Sequence, residues 1–189
     1  MNLPNQLTVA RLGLALLLVV CLTISFTGNY LVALGLFIAA TVTDYYDGAI
    51  ARRRGLVTDF GTLMDPLADK ILTVSAFICL IPDIPAWIVI LVVAREFLIT
   101  GLRLLASSQN VILPAERLGK HKTGWQMAAV ICYLLFLGVE QVFPLLKEYQ
   151  VWTAGFAIIA YTILTIMTVL TLYSGVAYFW KNRSLIQTK

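Results

Sequence analysis

The sequence predicts an all-α, polytopic integral membrane protein with six transmembrane helices, and three observations support that reading. Of the 189 residues, 60% are hydrophobic and 13% charged, with a mean hydropathy of +0.87, whereas soluble domains run at about 45–50% apolar and about 25% charged. Six stretches approach the roughly 20 mainly apolar residues that a crossing helix needs: 7–26, 30–51, 63–81, 86–106, 124–143 and 151–179. The basic residues fall in short clusters between these stretches, where orientation signals sit.

The first stretch follows residues 1–6, which lack the basic residues that open a secretory signal. It also runs too long for a signal h-region, so no cleavage is expected. Thr27-Gly28-Asn29 separates it from the second stretch, and residues 52–58 separate the second from the third. Pro82-Asp83-Ile84-Pro85 ends the third, residues 107–123 follow the fourth, and Pro144 opens the break before the sixth. These are ordinary turn and loop chemistries. The sixth stretch is long enough to project from a bilayer or to carry a bend. No Gly/Ser linker, low-complexity tract or charge block divides the chain, so residues 1–189 are expected to form a single membrane domain.

An even number of crossings puts both termini on one side. Arg52, Arg53, Arg54, Arg117, Lys120, Lys122, Lys181, Arg183 and Lys189 fall on that side, while Lys147 lies opposite with Asp83, Glu140 and Glu148. By the positive-inside rule, the termini and the second and fourth connections are cytoplasmic. The net charge of +4 is therefore read as topology, and no nucleic-acid partner is expected. Cys21, Cys79 and Cys132 stand apart in apolar surroundings, without the spacing of a disulfide framework or a zinc site. They are expected to be packing residues.

The stretch TDYYDGAIARRRGLVTDFGTLMDPLADK, residues 43–70, holds the densest chemistry. Asp44, Asp47, Gly48, Ala51 and Arg52 stand at i, i+3, i+4, i+7 and i+8, which is one face of a helix. Gly61, Asp65 and Asp69 recur at i, i+4 and i+8, again on one face, and Pro66 between the aspartates should bend that helix. One reading makes the acids surface charges paired with Arg52, Arg53, Arg54 and Lys70. The other makes them a metal site, because an intramembrane acid costs about 2.5 kcal/mol or more and marks an ion or substrate site by default. Converging carboxylates must be protonated or neutralised, and hard divalent cations with oxygen ligands do this. Without Cys or His, Mg²⁺ or Mn²⁺ suits the site better than zinc. Two such ions can clamp the attacking and leaving oxygens of a phosphoryl-type displacement. Gly48, Ala51 and Gly61 would admit a phosphate or planar group close to the backbone, and the same residues also pack helices together in lipid.

These residues resemble the signature of the CDP-alcohol phosphotransferase family, D-x-x-D-G-x-x-A-R-x8-G-x3-D-x3-D. Asp44, Asp47, Gly48, Ala51, Arg52, Gly61, Asp65 and Asp69 match its eight fixed positions. The resemblance implies six helices and a homodimer. It makes Asp44, Asp47 and Asp65 ligands of two divalent ions, and Asp69 the general base and a further metal contact. It places Gly48, Arg52 and Thr58 on the CDP moiety of CDP-diacylglycerol, beside Ala51 and Gly61. PNQLTVAR, residues 4–11, is similar to the family's first amphipathic segment near the nucleotide, with Asn5, Thr8 and Arg11. Asn5 and Thr8 would equally serve as helix caps.

The acceptor is read elsewhere. AREFLITGLRLL, residues 94–105, GKHKT, residues 119–123, and YSGVAYF, residues 173–179, resemble segments of bacterial phosphatidylglycerophosphate synthases. The resemblance implies a multi-pass protein of a bacterial inner membrane whose acceptor is sn-glycerol 3-phosphate and whose products are phosphatidylglycerophosphate and CMP. Arg95, Arg103, Lys120 and Lys122 would bind the acceptor phosphate, as converging Arg and Lys do. The other reading of these cations pairs Arg95 with Glu96 and leaves Lys120 and Lys122 to set topology. His121, alone between the two lysines, reads as a solvated residue. Other acceptors within the family remain open: phosphatidylglycerol, an inositol phosphate, serine or choline. A Mg²⁺ channel or transporter is disfavoured, because all four aspartates are expected at one cytoplasmic end, with no matching cluster of acids in other stretches to continue a path.

Overall fold

The structure, a computed structural model, describes the backbone over residues 3–54, 59–108 and 117–183; within its helices the side chains at 3–7, 44–54, 59–66, 69, 108, 117–120 and 147 lie outside the described residues. The chain forms α1 (Leu3–Thr23), α2 (Asn29–Arg54), α3 (Asp59–Cys79), α4 (Ala86–Ser108), α5 (Arg117–Val142) and α6 (Gln150–Lys181), with a short 3-10 helix, Pro144–Glu148, before α6. There is no strand among the described residues. Each expected apolar stretch becomes one helix, but the helices overrun the apolar limits. Thus α2 continues to Arg54 and α5 begins at Arg117, because backbone hydrogen bonding does not stop where charges begin. α3 is likewise one helix across Pro66.

The core draws on every helix. Leu18 of α1, Phe37 of α2, Phe77 of α3, Val92 of α4, Leu134 of α5 and Met167 of α6 have no exposed surface. Small residues bring the helices together, as they do where lipid supplies no hydrophobic drive. Gly138 on α5 lies so close to α2 that a Cβ there would stand 2.6 Å from Leu31 Cδ2 and 3.1 Å from the Leu31 amide nitrogen. α1 packs mainly on α2 and α3, α5 on α6 and α2, and α4 on α6. Outward, the helices present large apolar side chains, among them Leu16, Ile90, Phe97, Ile158 and Val176. An apolar exterior of this extent suits lipid rather than water.

Among the described residues, two stretches, His121–Val142 and Gln150–Lys181, are long and apolar enough to cross a membrane by length and composition. At 32 residues α6 is about 48 Å long, more than the roughly 30 Å of bilayer hydrocarbon. Among the described residues, shorter apolar runs occur in Thr8–Thr23, Asn29–Thr43 and Lys70–Cys79. In α2 and α3 the acids and arginines take up the remaining turns.

The turns between helices fix the two ends of the bundle. Gly28, with φ of 89°, turns the chain into α2 in a conformation that glycine adopts without a Cβ penalty. Its amide donates to Gln141 Oε1 at 2.9 Å, and Gln141 Nε2 donates to the Phe26 carbonyl at 3.0 Å. The start of α2 is therefore pinned to the end of α5. With α2 and α5 packed together, the acidic end of α2 runs toward the end at which α5 begins.

Candidate active site

The continuous course of α2 preserves the spacing of Asp44, Asp47, Gly48, Ala51 and Arg52, and α3 does the same for Gly61, Asp65 and Asp69. Their side chains lie outside the described residues, as do Thr58 and the side chains of Asn5 and Lys120. As a donor set, four carboxylates on successive turns of two helices fit a hard divalent cation, since they offer only oxygen and bring the charge that the cation neutralises.

Beside these turns the described side chains form a polar network that joins four helices. Lys70, next after Asp69 on α3, donates to Thr100 Oγ1 on α4. Thr100 Oγ1 in turn donates to the Glu96 carbonyl at 2.8 Å. The Glu96 carboxylate takes Lys122 from α5 and Arg95 Nη1, the latter at 3.3 Å. Arg95 Nη2 donates to Ser174 Oγ on α6 at 3.3 Å. Two turns further along α4, Arg103 Nε donates to Tyr178 Oη at 3.3 Å, with its guanidinium carbon 5.7 Å from the Tyr178 ring centre. The succession Arg95–Ser174 and Arg103–Tyr178 means that α4 and α6 run parallel. Accordingly, the first halves of α3 and α5 and the second halves of α4 and α6 meet at one end of the bundle.

Of the expected acceptor residues, Arg95 and Lys122 come together around Glu96. Arg103 lies exposed and leans on the buried Tyr178. Lys122 is 1% exposed and Arg11, in α1, 2%, burial that charged groups reach only with partners. Thr8 is buried in α1, three residues before Arg11. His121 is exposed beside Lys122. Sequence reading named Glu96 and Lys70 only as counter-charges and passed over Thr100, Ser174 and Tyr178. The available signal was Glu96 itself, an acid within an apolar stretch.

An apolar helical bundle that brings acid-bearing turns and buried cations to one end has the build of a membrane-associated enzyme of phosphate-ester chemistry. Sequence comparison makes this specific. The family model for CDP-alcohol phosphatidyltransferase matches residues 1–180, and the chain belongs to that family, whose members generally depend on divalent metal. A CDP-diacylglycerol--glycerol-3-phosphate 3-phosphatidyltransferase of Bacillus subtilis (strain 168) is 37% identical, covering 99% of this chain and 98% of its own. A protein of the same name from Rickettsia bellii (strain RML369-C) is 38% identical over 94% of this chain and 93% of its own. A probable phosphatidylglycerophosphate synthase of Mycobacterium tuberculosis (strain ATCC 25618 / H37Rv) is 39% identical over 71% and 66%.

Proposed function

We propose that this chain transfers the phosphatidyl group from CDP-diacylglycerol to sn-glycerol 3-phosphate, giving phosphatidylglycerophosphate and CMP. The near full-length similarity to transferases of that name supports the activity. The structural observation that carries the acceptor assignment is the convergence of Arg95 and Lys122 at the level of Lys70, the neighbour of Asp69. A phosphate dianion is the ligand that such cations recognise; a neutral alcohol has no use for them.

In this reading Asp69 accepts the proton of the acceptor's 1-hydroxyl. The oxygen so freed forms a bond to the lipid-side phosphorus, the bond from that phosphorus to the CMP oxygen breaks, and CMP leaves with the electron pair. Arg52 and Thr58 hold the CDP moiety, with Gly48, Ala51 and Gly61 giving it access to the backbone. Asn5 and Thr8 contribute from α1. Asp44, Asp47, Asp65 and Asp69 would hold two ions, Mg²⁺ or Mn²⁺, which neutralise the pyrophosphate and the leaving group. Arg95, Arg103, Lys120 and Lys122 bind the acceptor phosphate. All six helices cross the bilayer, with the termini and the active site on the cytoplasmic side of a bacterial inner membrane and the protein acting as a homodimer. This placement lets the diacyl chains stay in lipid while the soluble acceptor enters from the cytosol.

Purified protein reconstituted with CDP-diacylglycerol tests the reaction class. Addition of glycerol 3-phosphate with Mg²⁺ should release CMP, with no Mg²⁺ flux across the vesicle wall. Flux without CMP release would replace the transferase with a transport protein.

A further inference from the structure

Glu96 sits within α4 with its side chain 14% exposed, and its Oε1 serves two cations from the acceptor assignment, Lys122 and Arg95. Arg95 has an independent anchor in Ser174, at 3.3 Å. Its stem also lies along Gly175, where a Cβ would stand 3.1 Å from Arg95 Cγ. Lys122 reaches across from α5 on a flexible four-carbon stem, which presents a point charge without geometric preference. Its side chain is 2% exposed. The Glu96 carboxylate on the facing helix fixes the end of that stem. With two cations to one carboxylate, positive charge remains in excess, so a dianion is still drawn to the site. The backbone of this turn is tied to α3, since the Glu96 carbonyl accepts from Thr100 Oγ1 at 2.8 Å and Thr100 accepts from Lys70 of α3.

We propose that Glu96 is a positioning residue for the acceptor, its carboxylate setting the Lys122 ammonium where the phosphate of the incoming alcohol binds. The inference rests on the acceptor assignment under Proposed function. It differs from a plain structural bridge between α4 and α5 in its consequence for kinetics: Glu96 acts on glycerol 3-phosphate through Lys122, while Arg95 keeps its own contact with Ser174.

The test is a double-mutant cycle on the full-length protein in detergent. KM and kcat for glycerol 3-phosphate, KM for CDP-diacylglycerol and the melting temperature are measured for the parent, Glu96→Gln, Glu96→Asp, Lys122→Met and the double variant Glu96→Gln/Lys122→Met. Glu96→Gln should raise the KM for glycerol 3-phosphate about tenfold, with kcat and the KM for CDP-diacylglycerol within about twofold of the parent, and Glu96→Asp should recover part of the loss. The double variant should be no worse than Lys122→Met. An unchanged KM in Glu96→Gln with a lowered melting temperature overturns the proposal in favour of a structural bridge, and so does an additive rise, about a hundredfold, in the double variant. Removing one partner of a buried pair can unfold a protein. If Glu96→Gln does not fold, the double variant, which buries no lone charge of this pair, is compared with Lys122→Met and decides by the same criterion. If Lys122→Met leaves the KM for glycerol 3-phosphate at the parent value, the acceptor assignment itself fails; if Lys122→Met raises it and Glu96→Gln does not, only the role of Glu96 fails.

Discussion

Lys70, the residue that follows Asp69 on α3, donates a hydrogen bond to Thr100 on α4. Thr100 lies one helical turn beyond Glu96 and donates to its carbonyl at 2.8 Å. A single hydroxyl therefore links the turn that carries the proposed base to the turn that organises the proposed acceptor cations. The reaction requires those two places to be held at a fixed separation, since a small misplacement of reacting groups lowers the rate steeply.

Thr100→Val keeps the shape of the side chain and removes that link. A hydrogen bond to a charged group contributes about 1.5–3 kcal/mol. Part of that loss should appear in kcat, which is expected to fall about tenfold, with a small drop in melting temperature. Thr100→Ser, which keeps the hydroxyl, should restore most of the rate. Steady-state kinetics on the three proteins decides the matter; parental kcat in Thr100→Val removes the link from the catalytic account.

Asp47→Asn and Asp65→Asn should each abolish turnover, and EDTA should do the same to the parent. Each substitution removes an anionic oxygen from a donor set whose fitness for a divalent cation rests on charge. The check is CMP release with and without chelator. Near-parental activity in EDTA would show that the aspartates act without metal.

Asp69→Asn is expected to lower kcat by about a hundred- to ten-thousand-fold, the usual range for loss of a general base. Binding of CDP-diacylglycerol should persist, because the base acts on the acceptor hydroxyl. Equilibrium binding of the nucleotide lipid separates the roles: a loss of binding like that in Asp47→Asn would make Asp69 chiefly a ligand.

Arg103→Ala should raise the KM for glycerol 3-phosphate about ten- to a hundredfold, from about 1.5–3 kcal/mol for a charge-assisted contact, and leave the KM for CDP-diacylglycerol near the parent value. Arg103→Lys should rescue only in part, because an ammonium does not reproduce the guanidinium fork. Arg103 also holds Tyr178 at 3.3 Å, so a comparable weakening of both substrates would assign it to the packing of α4 on α6 instead.

The helices were legible in the sequence because they depend on apolar length within one segment; the acid-bearing faces were read from spacing on the same helices, and their side chains lie outside the described residues. Apolar length marked out six helices, and the i, i+3, i+4 pattern put Asp44, Asp47 and Gly48 on one face without reference to any neighbour. Helix ends were less legible, since α5 begins at Arg117 and α2 runs to Arg54; hydropathy falls at charged residues, while helical hydrogen bonding continues through them. The pairings across helices were not legible. That Lys122 meets Glu96, or Arg103 meets Tyr178, depends on the rotation and depth of each helix. Contacts such as Gly138 against Leu31 set these, and no spacing within one segment encodes them. Arg95 illustrates the boundary: its burial called for a partner, and both Glu96 and a second helix answered.

The most direct measurement of the central claim is the identity of the lipid made from CDP-diacylglycerol when the purified protein is offered glycerol 3-phosphate, phosphatidylglycerol, serine, choline and an inositol phosphate together. Mass spectrometry should find phosphatidylglycerophosphate as the main product, formed in step with CMP and lost when glycerol 3-phosphate is left out. Cardiolipin, phosphatidylserine or any product of an uncharged alcohol as the main species would contradict the acceptor assignment built on Arg95, Arg103, Lys120 and Lys122.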